Sequence, residues 1–148
     1  MRFGGPSEAF TGHTRRFYSV AEHSVLVSHR VPQEHALWGL LHDASEAYLV
    51  DLCLPLKRYS ALGDRYREIE AKVMAVIAER YGLQGDEPLE VKMVDERMLM
   101  TEKRDLLGPS PIEWPQTALP FPQRVEGWAP ELAEEVFMQR FTDLMRTR

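Results

Sequence analysis

The chain has 148 residues, of which 44% are apolar and 28% charged, with a formal net charge of -5 at pH 7. That size and balance predict one globular domain with its own core, and the acidic excess excludes a broad duplex-binding surface. With one cysteine (Cys53), no apolar run of membrane-spanning length and no apolar leader core in MRFGGPSEAFTG, the expectation is a cytoplasmic protein without a disulfide framework.

Residues 1–18 hold three glycines and a proline and are predicted to be irregular. Ser19 and Glu22 have the S-x-x-E form of a capping box, so a helix is expected from there to about Arg30, where Pro32 breaks it. Ala36, Leu37, Leu40, Leu41, Ala44 and Ala47 recur at helical spacing and predict a second helix over Gln33 to Leu49. Pro55 makes Val50 to Tyr59 a loop with one helical turn. A third helix is expected from Ala61 to Tyr81, with Ile69, Val73, Val76 and Ile77 on its apolar face and Gly82 as its stop. A fourth runs from about Glu87 to Leu107, with Val91, Val94, Met98 and Leu99 inward. Residues 108–130 hold six of the ten prolines and read as an extended surface segment, which Trp114 and Trp128 anchor to the body. A last helix covers 131–148, with Pro130 suited to its first position. No stretch alternates with period two. The expected fold is all-α, a single bundle of about five to six helices.

One feature conflicts with its frame. In GLLHDASEAYLVD, Gly39 to Asp51, the apolar helix stripe is interrupted by His42, Asp43 and Glu46. On a continuous helix the His42 and Asp43 side chains diverge by about 100°, and converge only on an ion lying beside the helix between them. Further ligands must then come from other helices: His23 in SVAEHS, and Asp95 in VKMVDERML. Each residue alone has a plain reading. His23 could be a satisfied core histidine, Asp95 a partner of Arg97, and a His-Asp dipeptide a surface pair. Four buried ionisable groups without an ion would cost several kcal/mol each, which favours the joint reading. Two imidazoles and two carboxylates suit zinc, manganese, cobalt or iron better than calcium and leave positions open for water. Glu46, three residues after Asp43, stands where a general acid or base belongs.

The order H…HD…D resembles the HD-domain metal-dependent phosphohydrolases, and the likeness runs from about Phe10 to Leu107. TGHTRRFYSVAEHSVLVS, HDASEAYLVDLCLPLK and VKMVDERMLMTEKRDLL are similar to segments of bacterial 5'-deoxynucleotidases and of small phage and bacterial HD proteins, some of which hydrolyse dATP. The resemblance implies a single HD-domain fold and one divalent ion (zinc, cobalt, manganese, iron or magnesium) on His23, His42, Asp43 and Asp95, with Glu46 as the catalytic acid. It implies phosphate contacts for Lys57 and Lys92, a carboxylate near the sugar in Asp51, and a ring crowding the ribose 2' position in Phe10. The family's arginine before that ring is Ala9 here, which leaves Arg2, Arg15 or Arg16 to stand in, and Arg16 to contact base or phosphate. The implied activity is hydrolysis of a nucleotide phosphate by a metal-activated water, most naturally of a deoxynucleotide, by a homo-oligomer. A non-catalytic metal or nucleotide sensor and a helical protein with a structural ion are the alternatives. His13, His29 and His35 read as surface residues, and Arg65, Arg67, Glu68 and Glu70 as a solvated face.

Overall fold

A computed structural model describes residues 14–49, 52, 57, 60–108 and 116–147. Among these residues the fold is all-α, with no strand. Its helices are α1 (Val20–Ser28), α2 (Ala36–Leu41), α3 (Ala61–Tyr81), α4 (Leu89–Leu106) and α5 (Pro130–Arg146). Single turns of 3₁₀ helix lie at Gln33–His35 and Ala44–Ala47. No helix among the described residues is long and apolar enough to cross a membrane. Phe10, Asp51, Arg2, Cys53, His13 and Trp114 lie outside the described residues.

α1 is the axis of the bundle, packed against α2, α4 and α5. Ala21, Val25 and Val27 are buried, and so are Glu22, His23, Ser24 and Ser28, so the helix has little free surface. Ser19 begins it as expected, its hydroxyl accepting the Glu22 N–H at 3.1 Å. The other half of the expected capping box goes elsewhere. The Glu22 carboxylate accepts the N–H groups of Gly127 at 3.1 Å and Trp128 at 2.6 Å. The helix ends at Ser28 rather than Arg30, because the residue before Pro32 is sterically disfavoured in helical conformation. Gly39 lets α2 sit close to α1: a Cβ there would lie 3.2 Å from the Ser28 Cα and 3.1 Å from a Val31 methyl.

α3 has the expected bounds. The Ser60 hydroxyl accepts the Gly63 N–H, and Gly82 ends the helix at φ 66°, a left-handed turn that glycine adopts without a Cβ penalty. Its expected apolar face is corrected in part. Ile77 is buried, but Ile69 and Val76 are 45% and 66% exposed. α3 packs on the 3₁₀ turn Ala44–Ala47 and, through Ile77 and Tyr81 near its end, on the core, with Tyr81 edge-on to Phe141 of α5, which leaves Ile69 and Val76 on its outer side.

α5 starts at Pro130 and turns Ala133, Phe137 and Leu144 inward. The described part of the proline-rich segment is tied along α4. Thr101 Oγ1 accepts the Phe121 N–H at 2.8 Å, and Asp105 accepts the Val125 N–H at 2.9 Å. Arg104 donates to the Phe121 and Gln123 carbonyls, and Arg97 lies 3.9 Å from the Phe121 ring centre. Trp128 packs against the core, as an anchor should.

Candidate metal centre

The second helix is not continuous. α2 ends at Leu41, and Asp43 takes φ -101°, ψ 17° before the chain tightens into the turn Ala44–Ala47. The Glu46 N–H donates to the Asp43 carbonyl at 3.0 Å, three residues back instead of four. This corrects the expected Gln33–Leu49 helix, and it changes how His42 and Asp43 meet. Instead of diverging around one axis they converge at the break, with His42 Nε2 and Asp43 Oδ2 3.2 Å apart.

α1 brings His23 to the same point. Its Nε2 lies 3.2 Å from His42 Nε2 and 3.6 Å from Asp43 Oδ2. α4 adds Asp95, whose Oδ1 is 3.2 Å from His23 Nε2 and 3.8 Å from His42 Nε2. His23, His42 and Asp43 form a group whose donor atoms all lie within 4.8 Å of one another, and such a group can hold a metal ion. Ligands bound at about 2.0–2.2 Å stand about 3.0–3.5 Å apart around tetrahedral or octahedral ions. Three of the five spacings, at 3.2 Å, fall in that range and the other two, 3.6 and 3.8 Å, lie just above it, and the nitrogen and carboxylate set suits a transition metal.

Both rings are held from behind. His42 Nδ1 donates to the Gly39 carbonyl at 2.9 Å, and His23 Nδ1 donates to Glu102 Oε1 at 2.6 Å. Fixing Nδ1 as the donor turns each Nε2 toward the shared point. The same Glu102 oxygen accepts the Tyr18 hydroxyl, also at 2.6 Å. Sequence reasoning missed Glu102. Its signal was its place seven residues after Asp95 with the buried Met98 between them, which puts all three on one face of α4.

The imidazoles are buried, whereas the side chains of Asp43 and Asp95 are 33% and 43% exposed. The donors therefore face an opening to solvent. Burial works to lower the His42 pKa, but the Asp43 charge and hydrogen bonds to Asp43 and Asp95 outweigh it and push it up to about 10. Burial opposes protonation of His23 as well, but Glu102 and Asp95 hold its pKa well above the usual value. For Asp43 and Asp95 burial acts to raise the pKa, yet the two imidazoles hold both below the usual carboxylate range. With no ion present, protons on the rings balance the carboxylates. A dication does the same job once they leave.

Of the other expected site residues, Glu46 is half-buried in the 3₁₀ turn, where positions three apart stack, so its backbone sits over Asp43. Lys92, one turn before Asp95, is exposed with its Nζ 3.8 Å from Glu87. Glu87, also missed, is half-buried. Its pKa is raised, by burial first, while His42 and Lys92 act to lower it and Asp95 and Asp43 to raise it. Lys57 Nζ is bonded to Glu70 at 2.9 Å, and Arg16 donates to the Glu126 carbonyl at 2.9 Å; both are engaged away from the four donors. Phe10 and Asp51 lie outside the described residues. His35, read as a surface residue, stands 3.7 Å from Glu90.

The chain is similar to curated proteins of two bacteria. "Uncharacterized protein YfdR" of Escherichia coli (strain K12) is 45% identical over 142 residues, which cover 94% of this chain and 78% of that protein. "Uncharacterized protein RCAP_rcc00048" of Rhodobacter capsulatus is 37% identical over 82 residues, 51% of this chain and 41% of that one. No family model and no solved structure matches the chain.

Proposed function

This chain belongs to the family of the Escherichia coli protein YfdR, and we propose, from its own residues, that it is a metal-dependent phosphohydrolase of the HD-domain type acting on deoxynucleotides. One observation carries the reading: two imidazole nitrogens 3.2 Å apart, from α1 and the break after α2, each lie 3.2–3.8 Å from a carboxylate oxygen of Asp43 and of Asp95, with the rings buried and the acids open to water. A closed, structural ion site has four tight ligands and no open side; this one is open.

His23, His42, Asp43 and Asp95 would hold the ion. A bound divalent ion supplies Lewis acidity, neutralising phosphoryl oxygens and making nearby water a better nucleophile at neutral pH. The protein's residues do the rest. Attack of water on phosphorus breaks the bond to the nucleoside oxygen, and Glu46 delivers a proton to that departing oxygen. Lys92, exposed beside Glu87, is placed to meet the outer phosphate oxygens and offset their charge. Lys57 reaches a phosphate by exchanging its bond to Glu70. Phe10 and Asp51 are proposed at the sugar, Phe10 excluding a 2' hydroxyl and so favouring deoxynucleotides. A homo-oligomer is part of the same proposal.

The test is phosphate release from the full set of nucleoside mono-, di- and triphosphates, with manganese, cobalt, zinc, iron and magnesium in turn. Deoxynucleotide hydrolysis that disappears in excess chelator and returns with a divalent metal supports the reading. No release from any nucleotide with any of these metals refutes it.

A further inference from the structure

We propose that Glu102 is the positioning residue of the metal centre. Held by Tyr18, its carboxylate fixes the ring of His23 so that Nε2 faces His42 and Asp95. The proposal rests on the metal-dependent reading of that site.

Glu102 is 1% exposed, on α4 beside the buried Met98 and Leu106. A buried carboxylate is costly unless its charge is answered. Among the described residues, no lysine or arginine forms an ion pair with it, and its ionic partner is His23. Its Oε1 takes two short hydrogen bonds, both 2.6 Å, from the Tyr18 hydroxyl and from His23 Nδ1. Leucine or methionine would fill the same space but leave the Tyr18 hydroxyl and the His23 Nδ1–H without an acceptor. A carboxylate there answers both donors, and its charge orients His23 and makes it more basic, as suits a metal-bound imidazole.

The surrounding geometry is that of a support. Tyr18 is fully buried and stands immediately before Ser19, the cap of the helix that carries His23. Glu102 is two turns from Asp95 on α4. One helix therefore carries both a proposed ligand and the group that aims a second ligand. Glu102 on α4 joins Tyr18, just before α1, to His23 on α1, so the ring cannot turn without breaking a buried hydrogen bond. His42 has the same kind of support in weaker form, from the neutral Gly39 carbonyl.

The experiment compares the full chain with Glu102→Gln, Tyr18→Phe and the double variant. Each is stripped of metal and titrated with cobalt(II), with affinity read by calorimetry and geometry by the visible cobalt spectrum. Glutamine keeps the volume and can still accept from Nδ1–H, but it lacks the charge. The expected result is a dissociation constant raised about 10–100-fold in Glu102→Gln, with a shifted cobalt spectrum. Tyr18→Phe should raise it less, and the double variant should match Glu102→Gln alone, because Tyr18 acts through Glu102. Unfolding midpoints of the metal-free proteins separate this from general damage, since a loss of packing would lower stability without moving the spectrum. Wild-type binding with Glu102→Gln unchanged in affinity and spectrum overturns this proposal alone. A wild-type chain that binds no cobalt overturns the metal reading and this proposal with it.

Discussion

The Nε2 atoms of His23 and His42 face each other across 3.2 Å, each ring tied down through its opposite nitrogen. Carboxylates beside both rings favour their protonated forms. The His42 pKa is pushed up to about 10 and that of His23 well above 6.5. A histidine pKa raised by folding adds stability that is complete below about 6.5 and disappears as pH climbs through the folded value. Asp43 and Asp95 are held below 3.8, so their contribution is complete above that value and disappears only as pH falls further. A ligating imidazole must give up the Nε2 proton, so at neutral pH metal binding expels protons. Affinity for zinc or cobalt should therefore rise between about pH 6 and pH 9. The binding heat should also scale with the ionisation enthalpy of the buffer. An affinity flat across that range would contradict protonated rings in the ion-free state.

Replacing Glu46 by glutamine or alanine should leave metal affinity near that of wild type while turnover falls about 10²–10⁴-fold, the usual worth of a general acid. Parallel metal titration and phosphate-release assays read the two quantities separately. If the ion is lost along with turnover, Glu46 is a ligand and its role as proton donor is wrong.

Gly39→Ala should weaken metal binding although it touches no donor atom. The new methyl meets the Ser28 backbone at 3.2 Å and would push α2 away from α1, moving His42 relative to His23 by a few tenths of an ångström. Such crowding costs about 1–3 kcal/mol, against which the better helix propensity of alanine returns about 1 kcal/mol. A dissociation constant several-fold higher at nearly unchanged thermal stability is the expected pair of results. Unaltered affinity would show that the helices slide apart without disturbing the donors.

Glu22→Ala should destabilise the fold by about 3 kcal/mol, because it strips the Gly127 and Trp128 N–H groups of a charged acceptor in a buried place. Denaturant unfolding measures this, and a loss under about 0.5 kcal/mol would mean that water replaces the carboxylate freely.

The sequence made the helices legible where periodicity and punctuation agree. α3 is bounded by the Ser60 cap and the Gly82 stop, and α5 begins at Pro130. The residues of the centre were legible because His23, His42, Asp43 and Asp95 contradict the apolar stripes around them. The break after Leu41 was not, since every residue there tolerates a helix and only tertiary contacts tighten the chain at Asp43. Glu102 and Glu87 were hidden by ordinary charge-rich context, TEKRD and GDEPLE, in which a carboxylate that will be buried looks like one that will not. Glu22 was assigned to its own helix end because a local partner was in view, whereas its true partners stand 105 and 106 residues away. The outward face of α3 was misread for a related reason: periodicity marks an apolar stripe but not how many neighbours will arrive to cover it.

The adjacency of Glu22 and His23 also sets an order of assembly. Translation delivers His23 first, then the His42–Asp43 break, then Asp95 and Glu102, and the loop at Gly127–Trp128 well after all of them. Until that loop arrives, Glu22 has neither of the N–H partners that hold it in the folded chain. The four donors are thus all in place along the chain by Asp95, while the residue beside the first of them gains its partners only when Gly127 and Trp128 have been made.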